Sequence, residues 1–198
     1  MSDAVVVFAR YPAPGAVKTR LAADIGDDAA TAFYKSCAEH LFVELDTLPR
    51  STARYLFYDG SADLPALQRW TRDRFILNAQ IDGDLGERMK RAFDNVFVLG
   101  ATKCALVGTD IPNLTAQHIS RAFALLDSCD VVLGPARDGG YYLIAMNAPR
   151  DVFSGIVFGT ATVADETRSR IQALGCSLEE LDVLDDVDDI AAYERRRL

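Results

Sequence analysis

Three cationic side chains lie close together in the segment FARYPAPGAVKTRLA, residues 8–22, which contains no acidic residue. They are Arg10, Lys18 and Arg20, in a chain whose formal net charge is −8. Gly15 would let backbone N–H groups approach a phosphate closely, and the lysine and arginine side chains would neutralise its charge. The segment therefore predicts a loop that binds the phosphates of a nucleotide. The structural alternative is a solvent-exposed basic loop.

The loop does not match the common phosphate-binding motifs. Val17 stands where the Walker A motif has the glycine before its lysine, and the chain has no GxGxxG fingerprint. On a helix, Lys18 and Arg20 would point about 200° apart, whereas an extended loop would place both on one side. Because the segment contains two prolines, we expect the extended loop.

Two aspartates follow short apolar runs and are candidate metal ligands and catalytic residues. Asp110 lies in CALVGTDIPNLT, residues 104–115, and Asp138 lies in DVVLGPARDGGYYLIAM, residues 130–146. Mg²⁺ prefers one or two protein carboxylates together with substrate phosphates and water, and Mn²⁺ is the alternative ion. Asp110 could hold such an ion, and Asp138 could assist. The structural alternatives are an Asx turn or cap at Asp110 and a hairpin turn at Asp138.

A further cation, Arg88, lies in GDLGERMKRAF, residues 83–93, where a helix is predicted to begin. Asp84 and Glu87 have the spacing of a capping box. Arg88 could bind an anion at this helix N-terminus or form a surface ion pair. The acids at positions 185, 186, 188 and 189 are expected to form the solvent-exposed start of the last helix, near its positive dipole end.

The composition is that of one globular domain, residues 1–198, since 49% of the residues are hydrophobic, 25% are charged, and no linker or repeat divides the chain. The acidic balance argues against a nucleic-acid partner. Four separated cysteines without a CxxC pair indicate reduced thiols. The chain has no signal-peptide pattern and no transmembrane run, so we expect a cytoplasmic protein without a membrane partner.

Short apolar runs alternate with segments of helical period, which predicts an α/β domain with a largely parallel sheet. The predicted strands are residues 4–9, 55–58, 75–77, 104–107, 131–133, 141–146 and 181–184. The predicted helices are residues 27–48, 64–72, 85–97, 116–126, 163–174 and 190–197. In such sheets ligands bind outside the carboxyl ends of the strands. The cationic loop and both aspartates follow predicted strands, so we expect them at that edge.

The blocks FARYPAPGAVKTRLA, GDLGERM, LVGTDIPNLT and VLGPARDGGYYLI, in this order, resemble a bacterial family of predicted transferases with a glycosyltransferase-A-like fold. This family lies in the nucleotide-diphospho-sugar transferase superfamily and is distantly similar to molybdenum-cofactor guanylyltransferase and 2-phospho-L-lactate guanylyltransferase. The resemblance spans nearly the whole chain. It implies a three-layer α/β/α sandwich around a mixed, mostly parallel sheet.

The same resemblance implies roles for particular residues. The phosphate-binding loop of the superfamily carries over to Arg10, Gly15, Lys18 and Arg20. Asp110 matches the acid that binds the divalent ion, and Asp138 matches a motif of the family.

Two features depart from the family pattern. Phe158-Gly159-Thr160 stands where we expect a tryptophan followed by a small residue and threonine. The C-terminal DVDD runs directly into IAAYERR without the expected spacer, which leaves Asp188 unassigned as a metal ligand.

The sequence thus predicts a metal-dependent transferase with a nucleotide donor. It would transfer a nucleotidyl group from a nucleoside triphosphate, or a sugar from a nucleotide sugar, to a small-molecule acceptor that the sequence does not identify. Lys18 and Arg20 would hold the phosphates, while Mg²⁺ on Asp110 would stabilise the leaving diphosphate. The alternative is a nucleotide-binding protein of the same fold without transferase activity, acting as a sensor or partner subunit.

Overall fold

The computed structural model describes residues 2–60 and 62–195. A seven-stranded sheet forms its centre, with the strands in the order β3-β2-β1-β4-β6-β5-β7. The strands are β1 Ser2–Ala9, β2 Ala53–Tyr58, β3 Ile76–Ala79, β4 Ala101–Val107, β5 Val131–Pro135, β6 Tyr141–Met146 and β7 Leu178–Glu180. Among the strands of the described residues, only β6 runs antiparallel to its neighbours, β4 and β5. The sheet is therefore mixed and mostly parallel, which confirms the prediction.

Helices cover both faces of the sheet. They are α1 Thr19–Ile25, α2 Asp27–Asp46, α3 Leu64–Thr71, α4 Leu85–Val98, α5 Ala116–Leu125, α6 Val163–Ala173 and α7 Ile190–Arg195. Residues in β1 alternate between the two cores: Val5 and Val7 pack under α2, α3 and α5, whereas Ala4 and Val6 pack under α4 and α6. A strand buried on both faces reads as a continuous apolar run, as β1 does. The predicted three-layer sandwich is confirmed.

Two elements differ from the predictions made from the sequence. The prediction of an extended loop across Lys18 and Arg20 is wrong, because α1 begins at Thr19. This helix forms because Leu21 is fully buried against α2 and the C-terminal segment. The last strand lies at Leu178–Glu180 rather than 181–184, where Leu184 makes only an isolated bridge to Ala136.

The remaining predicted elements are observed with small shifts of their ends. The last helix was predicted over 190–197, and positions 196 and 197 lie outside the described residues. All four cysteines are free thiols, as expected. Within residues 2–60 and 62–195, no helix combines the length and the apolar character needed to cross a membrane.

The topology creates a crevice at one edge of the sheet. From β1 the chain moves outward through β2 to β3, while β4 lies on the other side of β1. In an open α/β sheet, ligands bind where the strand order reverses in this way, outside the carboxyl ends of the strands. The segments that follow β1 and β4 therefore define the place to look for a site.

Candidate functional site

A cavity of about 750 Å³ opens at the carboxyl ends of β1 and β4. The predicted site residues that line it are Arg10, Lys18, Arg20, Arg88, Asp110 and Asp138, and Asp188 joins them. The fold thus brings together six of the seven residues that the sequence singled out. The seventh, Gly15, is exposed in a turn where its φ of 76° suits glycine, and it is not among the residues that line the cavity.

Lys18 lies at the centre of the charged residues in this cavity. It directly precedes α1 and has left-handed backbone angles, φ 50° and ψ 43°, which are uncommon for a residue with a side chain. Its side chain is only 4% exposed, and Nζ lies 2.9 Å from Asp110 Oδ1 and 2.5 Å from Asp188 Oδ1. Burial lowers the pKa of Lys18, but the charges of the two aspartates outweigh burial and raise this pKa above its usual value. The buried amine is therefore a charged ammonium.

The two aspartates that contact Lys18 come from distant parts of the chain. Asp110 follows β4, and Asp188 lies in the segment that leads to α7. Val187, which directly precedes Asp188, is buried in one cluster with Leu21 and holds this segment in place. Both aspartate side chains are about half exposed, at 51% and 48%, so each keeps oxygen lone pairs available to the cavity.

These two carboxylates fit a divalent cation. Oxygen ligands suit Mg²⁺ and Mn²⁺, and the ammonium of Lys18 shows that the space between the two side chains favours positive charge. Within the described residues, no group of three or more acidic, histidine or cysteine side chains could hold a metal ion. The arrangement thus suits an ion held by one or two protein carboxylates and completed by substrate phosphate and water.

Asp138 lies at the tip of the β5–β6 hairpin, the turn that the sequence offered as its structural alternative. The N–H of Gly140 donates to Asp138 Oδ1 at 2.8 Å, so the carboxylate supports the turn while lining the cavity. The hairpin tip also touches the loop before α6. A Cβ on Gly139 would lie 2.0 Å from the carbonyl oxygen of Ala161, so only glycine fits there.

The C-terminal acids do not form one exposed helix start, and that expectation is wrong. Asp189 caps α7, since its Oδ1 accepts the N–H of Ala192 at 2.8 Å, whereas Asp185 forms an ion pair with Arg137. Asp186 is half-buried, and burial raises its pKa to about 6, helped by the nearby charges of Asp138 and Asp188. The proximity of Asp186 to Asp138, 48 positions earlier in the chain, leaves no local signal in the sequence.

Three arginines line the same cavity as Asp110 and Asp188. Arg10 is 62% exposed, with Nε 3.6 Å from Asp59 Oδ2, and Arg20 is exposed in the first turn of α1. Arg88 donates from Nε to the carbonyl of Gly83 at 2.9 Å and from Nη1 to Gln80 Oε1 at 3.3 Å. These guanidinium groups give the cavity positive charge that suits an anionic ligand.

The start of α4, which carries Arg88, has the predicted capping box, because Asp84 and Glu87 accept each other's backbone N–H. Part of the cavity wall is apolar and consists of side chains that pack on the α4 side of the sheet. These side chains are Phe8, Met89, Tyr141 and Phe158.

Comparison with known proteins defines the family. Residues 46–160 match the family described as "Uncharacterized protein conserved in bacteria (DUF2064)", and the chain belongs to this family. A crystal structure from Desulfovibrio desulfuricans G20, described as a "putative nucleotide-diphospho-sugar transferase", is 35% identical, with a TM-score of 0.89 over 96% of this chain and 84% of that one. The resemblance found in the sequence is thus confirmed. A comparison with curated proteins gave no match.

More distant structures share the fold. CMP:2-keto-3-deoxy-manno-octonic acid synthetase, solved with CTP, is 12% identical, with a TM-score of 0.61 over 99% of this chain and 97% of that one. Rv0371c from Mycobacterium tuberculosis H37Rv, solved with manganese, is 16% identical, with a TM-score of 0.53 over 98% of this chain and 97% of that one. At these identities the likeness shows the α/β fold alone.

Proposed function

We propose that this protein is a metal-dependent transferase that takes a nucleotide donor and passes a nucleotidyl or glycosyl group to a small-molecule acceptor. The observation that carries the proposal is the buried Lys18 ammonium between Asp110 and Asp188, in a cavity that three arginines also line. Such a site offers positive charge for phosphates and oxygen ligands for a metal ion. The 35% identical relative described as a "putative nucleotide-diphospho-sugar transferase" supports a nucleotide donor. Two proteins that share the fold were solved with CTP and with manganese.

Asp110 and Asp188 would hold Mg²⁺ or Mn²⁺, which when bound would neutralise charge on the donor's phosphates. Arg20 and Arg88 would bind and orient those phosphates. Lys18 would hold the two carboxylates in place and add positive charge beneath the leaving diphosphate, so that charge developing on it is stabilised. Positioning and electrostatics of this kind supply most of the acceleration in phosphoryl transfer.

We assign Asp138 to the acceptor side. It lies at the hairpin tip, within the cavity and next to the loop of residues 158–162. A carboxylate there could accept a proton from an acceptor hydroxyl as the new bond forms. Arg10 would contribute positive charge at the mouth of the cavity, and the turn at Gly15 would shape the loop between Arg10 and Lys18.

The test is thermal denaturation with nucleoside triphosphates and nucleotide sugars, each with and without Mg²⁺ or Mn²⁺, followed by mass spectrometry of mixtures with candidate acceptors. A ligand present at 100 times its dissociation constant adds about 2.7 kcal/mol, which should raise the midpoint by roughly 5 to 10 °C. We expect Asp110→Asn and Asp188→Asn to abolish the metal-dependent part of this shift.

Asp127→Asn is the matched control, because Asp127 pairs with Lys103 at the opposite end of β4. If no donor gave a metal-dependent shift of the denaturation midpoint, the proposal would be refuted. Tight nucleotide binding without product would instead favour the nucleotide-binding protein that lacks transferase activity.

A further inference from the structure

The hydroxyl group of Tyr34 lies in the gap between the two strands that carry the site. The pairing of β1 with β4 ends at Val7 and Val107, and beyond this pair the two strands separate. Tyr34 reaches the gap from α2, and its ring is buried with 4% exposure. One side chain from a helix thus occupies the position where the sheet no longer joins the two segments.

The hydroxyl uses its full hydrogen-bonding capacity there. It accepts the backbone N–H of Arg10 at 2.9 Å and donates to the carbonyl of Arg10 at 3.0 Å. It also accepts from Thr109 Oγ1 at 3.0 Å, and Thr109 is itself buried. A tyrosine hydroxyl has one proton to donate and two lone pairs, so all three contacts are satisfied at once. Because burial raises the pKa of Tyr34 to about 12, the hydroxyl keeps its proton at neutral pH.

Lys18, Asp110 and Asp188 form the charged centre of the site. The contacts of the Tyr34 hydroxyl join the segment that carries Lys18 to the segment that carries Asp110. Arg10 begins the loop that ends at Lys18, and Thr109 directly precedes Asp110. The hydroxyl therefore connects the backbone on the Lys18 side with the backbone on the Asp110 side. Without it, the amide and carbonyl of Arg10 and the hydroxyl of Thr109 would lose a buried partner, and the two segments would be free to move apart.

We propose that Tyr34 is a positioning residue. Its hydroxyl fixes the loop of residues 9–18 against the segment of residues 108–111 and thereby sets the affinity for the donor's phosphates. The part that concerns the donor rests on the proposed function. The part that concerns the fixing of the two segments does not. Two measurements separate these parts.

The first measurement is amide hydrogen exchange of the ligand-free protein. Tyr34→Phe keeps the buried ring and removes only the hydroxyl. We expect exchange within residues 9–18 and 108–111 to become about tenfold faster, while β5 and β6 exchange as in the wild type. Thr109→Val, which removes one of the three contacts, should accelerate residues 108–111 in the same direction.

Thr71→Val is the matched control, because Thr71 is fully buried and its hydroxyl donates to the carbonyl of Leu67 within α3 at 2.9 Å. This variant loses a buried hydroxyl group that bonds within its own helix, α3. It should leave the exchange of residues 9–18 and 108–111 unchanged.

The second measurement is the affinity for inorganic triphosphate in the presence of Mn²⁺, by titration calorimetry. We expect a loss of about tenfold in Tyr34→Phe, a smaller loss in Thr109→Val and none in Thr71→Val. In the double variant the losses should not add, because both substitutions break the same connection.

Unchanged exchange in Tyr34→Phe would overturn the proposal, as would faster exchange with unaltered triphosphate affinity. If the wild type itself bound neither triphosphate nor any nucleotide, the proposed function would fail. In that case the exchange data alone would still decide whether Tyr34 fixes the two segments.

Discussion

Replacing Lys18 with methionine tests the charged centre most directly. The substitution keeps an unbranched side chain of similar length but removes the ammonium that contacts Asp110 and Asp188. Breaking a fully buried ion pair costs about 3–5 kcal/mol, whereas an exposed pair contributes about 0–1 kcal/mol. Because Lys18 is buried and its partners are half exposed, we expect a loss of about 2 kcal/mol. This corresponds to a midpoint lower by roughly 4–8 °C.

The assay is thermal denaturation at pH 7.5, first with EDTA and then with MnCl₂. In Lys18→Met the two carboxylates lose their internal cation, so Mn²⁺ should stabilise the variant more than the wild type. Adding Asp188→Asn should restore part of the lost stability, because it removes one of the two uncompensated charges. Lys103→Met is the control, since Lys103 contacts a single acid, Asp127, at the other end of β4.

The pH dependence gives an independent check. The pKa of Lys18 is raised above 10.5 in the folded protein, so its contribution is complete below pH 10.5 and is lost only as the pH rises through the higher folded pKa. Loss of Lys18 also raises the pKa of Asp186 further, so the difference between wild type and Lys18→Met should stay constant from pH 8 to pH 9. A variant as stable as the wild type, or an equal response of both to Mn²⁺, would refute this account of the centre.

Three further predictions concern other parts of the site. The pKa of Asp186 is raised from 3.8 to about 6, so its contribution to the free energy of unfolding falls as the pH rises through this interval. In urea denaturation with EDTA, Asp186→Asn should therefore be more stabilising at pH 7.5 than at pH 4.5, and an equal effect at both pH values would contradict the raised pKa. Arg20→Gln should weaken Mg²⁺-dependent binding of inorganic triphosphate about fivefold while leaving the midpoint of the free protein within about 1 °C, whereas the exposed Arg50→Gln should change neither. Gly139→Ala should lower the free energy of unfolding by about 2–4 kcal/mol, because it combines a φ of 91° with a clash against Ala161; Gly155→Ala, with a similar φ of 85° and open space, should cost clearly less.

The sequence was sufficient to predict the sheet, except for its last strand, and the loops that meet at one edge of the sheet. The runs that became β1 and β4 are buried on both faces, and the carboxyl ends of parallel strands meet at one edge. Arg10 and Asp110 could therefore be placed in one cavity from local patterns alone. The two prolines gave a misleading signal for α1, because the burial of Leu21 against α2, a tertiary contact, decided the conformation.

The contact between Lys18 and Asp188 lay beyond such reasoning. It joins residues that are 170 positions apart, and the segment around Asp188 reads as an ordinary acidic stretch before a helix. The position of this aspartate depends on Val187, whose burial against Leu21 and Phe33 draws the C-terminal segment back to α1 and α2. Only the packed structure shows which of the neighbouring acids faces the cavity.

The charges of the site explain how so acidic a chain could bind an anionic donor. At 4 Å, two unit charges near a protein surface interact by about 4 kcal/mol, so free carboxylates at positions 110 and 188 would oppose an incoming phosphate. Lys18 offsets part of this repulsion, and a divalent ion on the same carboxylates would reverse it. Conversely, the surrounding arginines would disfavour a lone metal ion until the donor's phosphates arrive. Metal and donor should therefore strengthen each other's binding by the same factor, since coupling between two ligands is reciprocal.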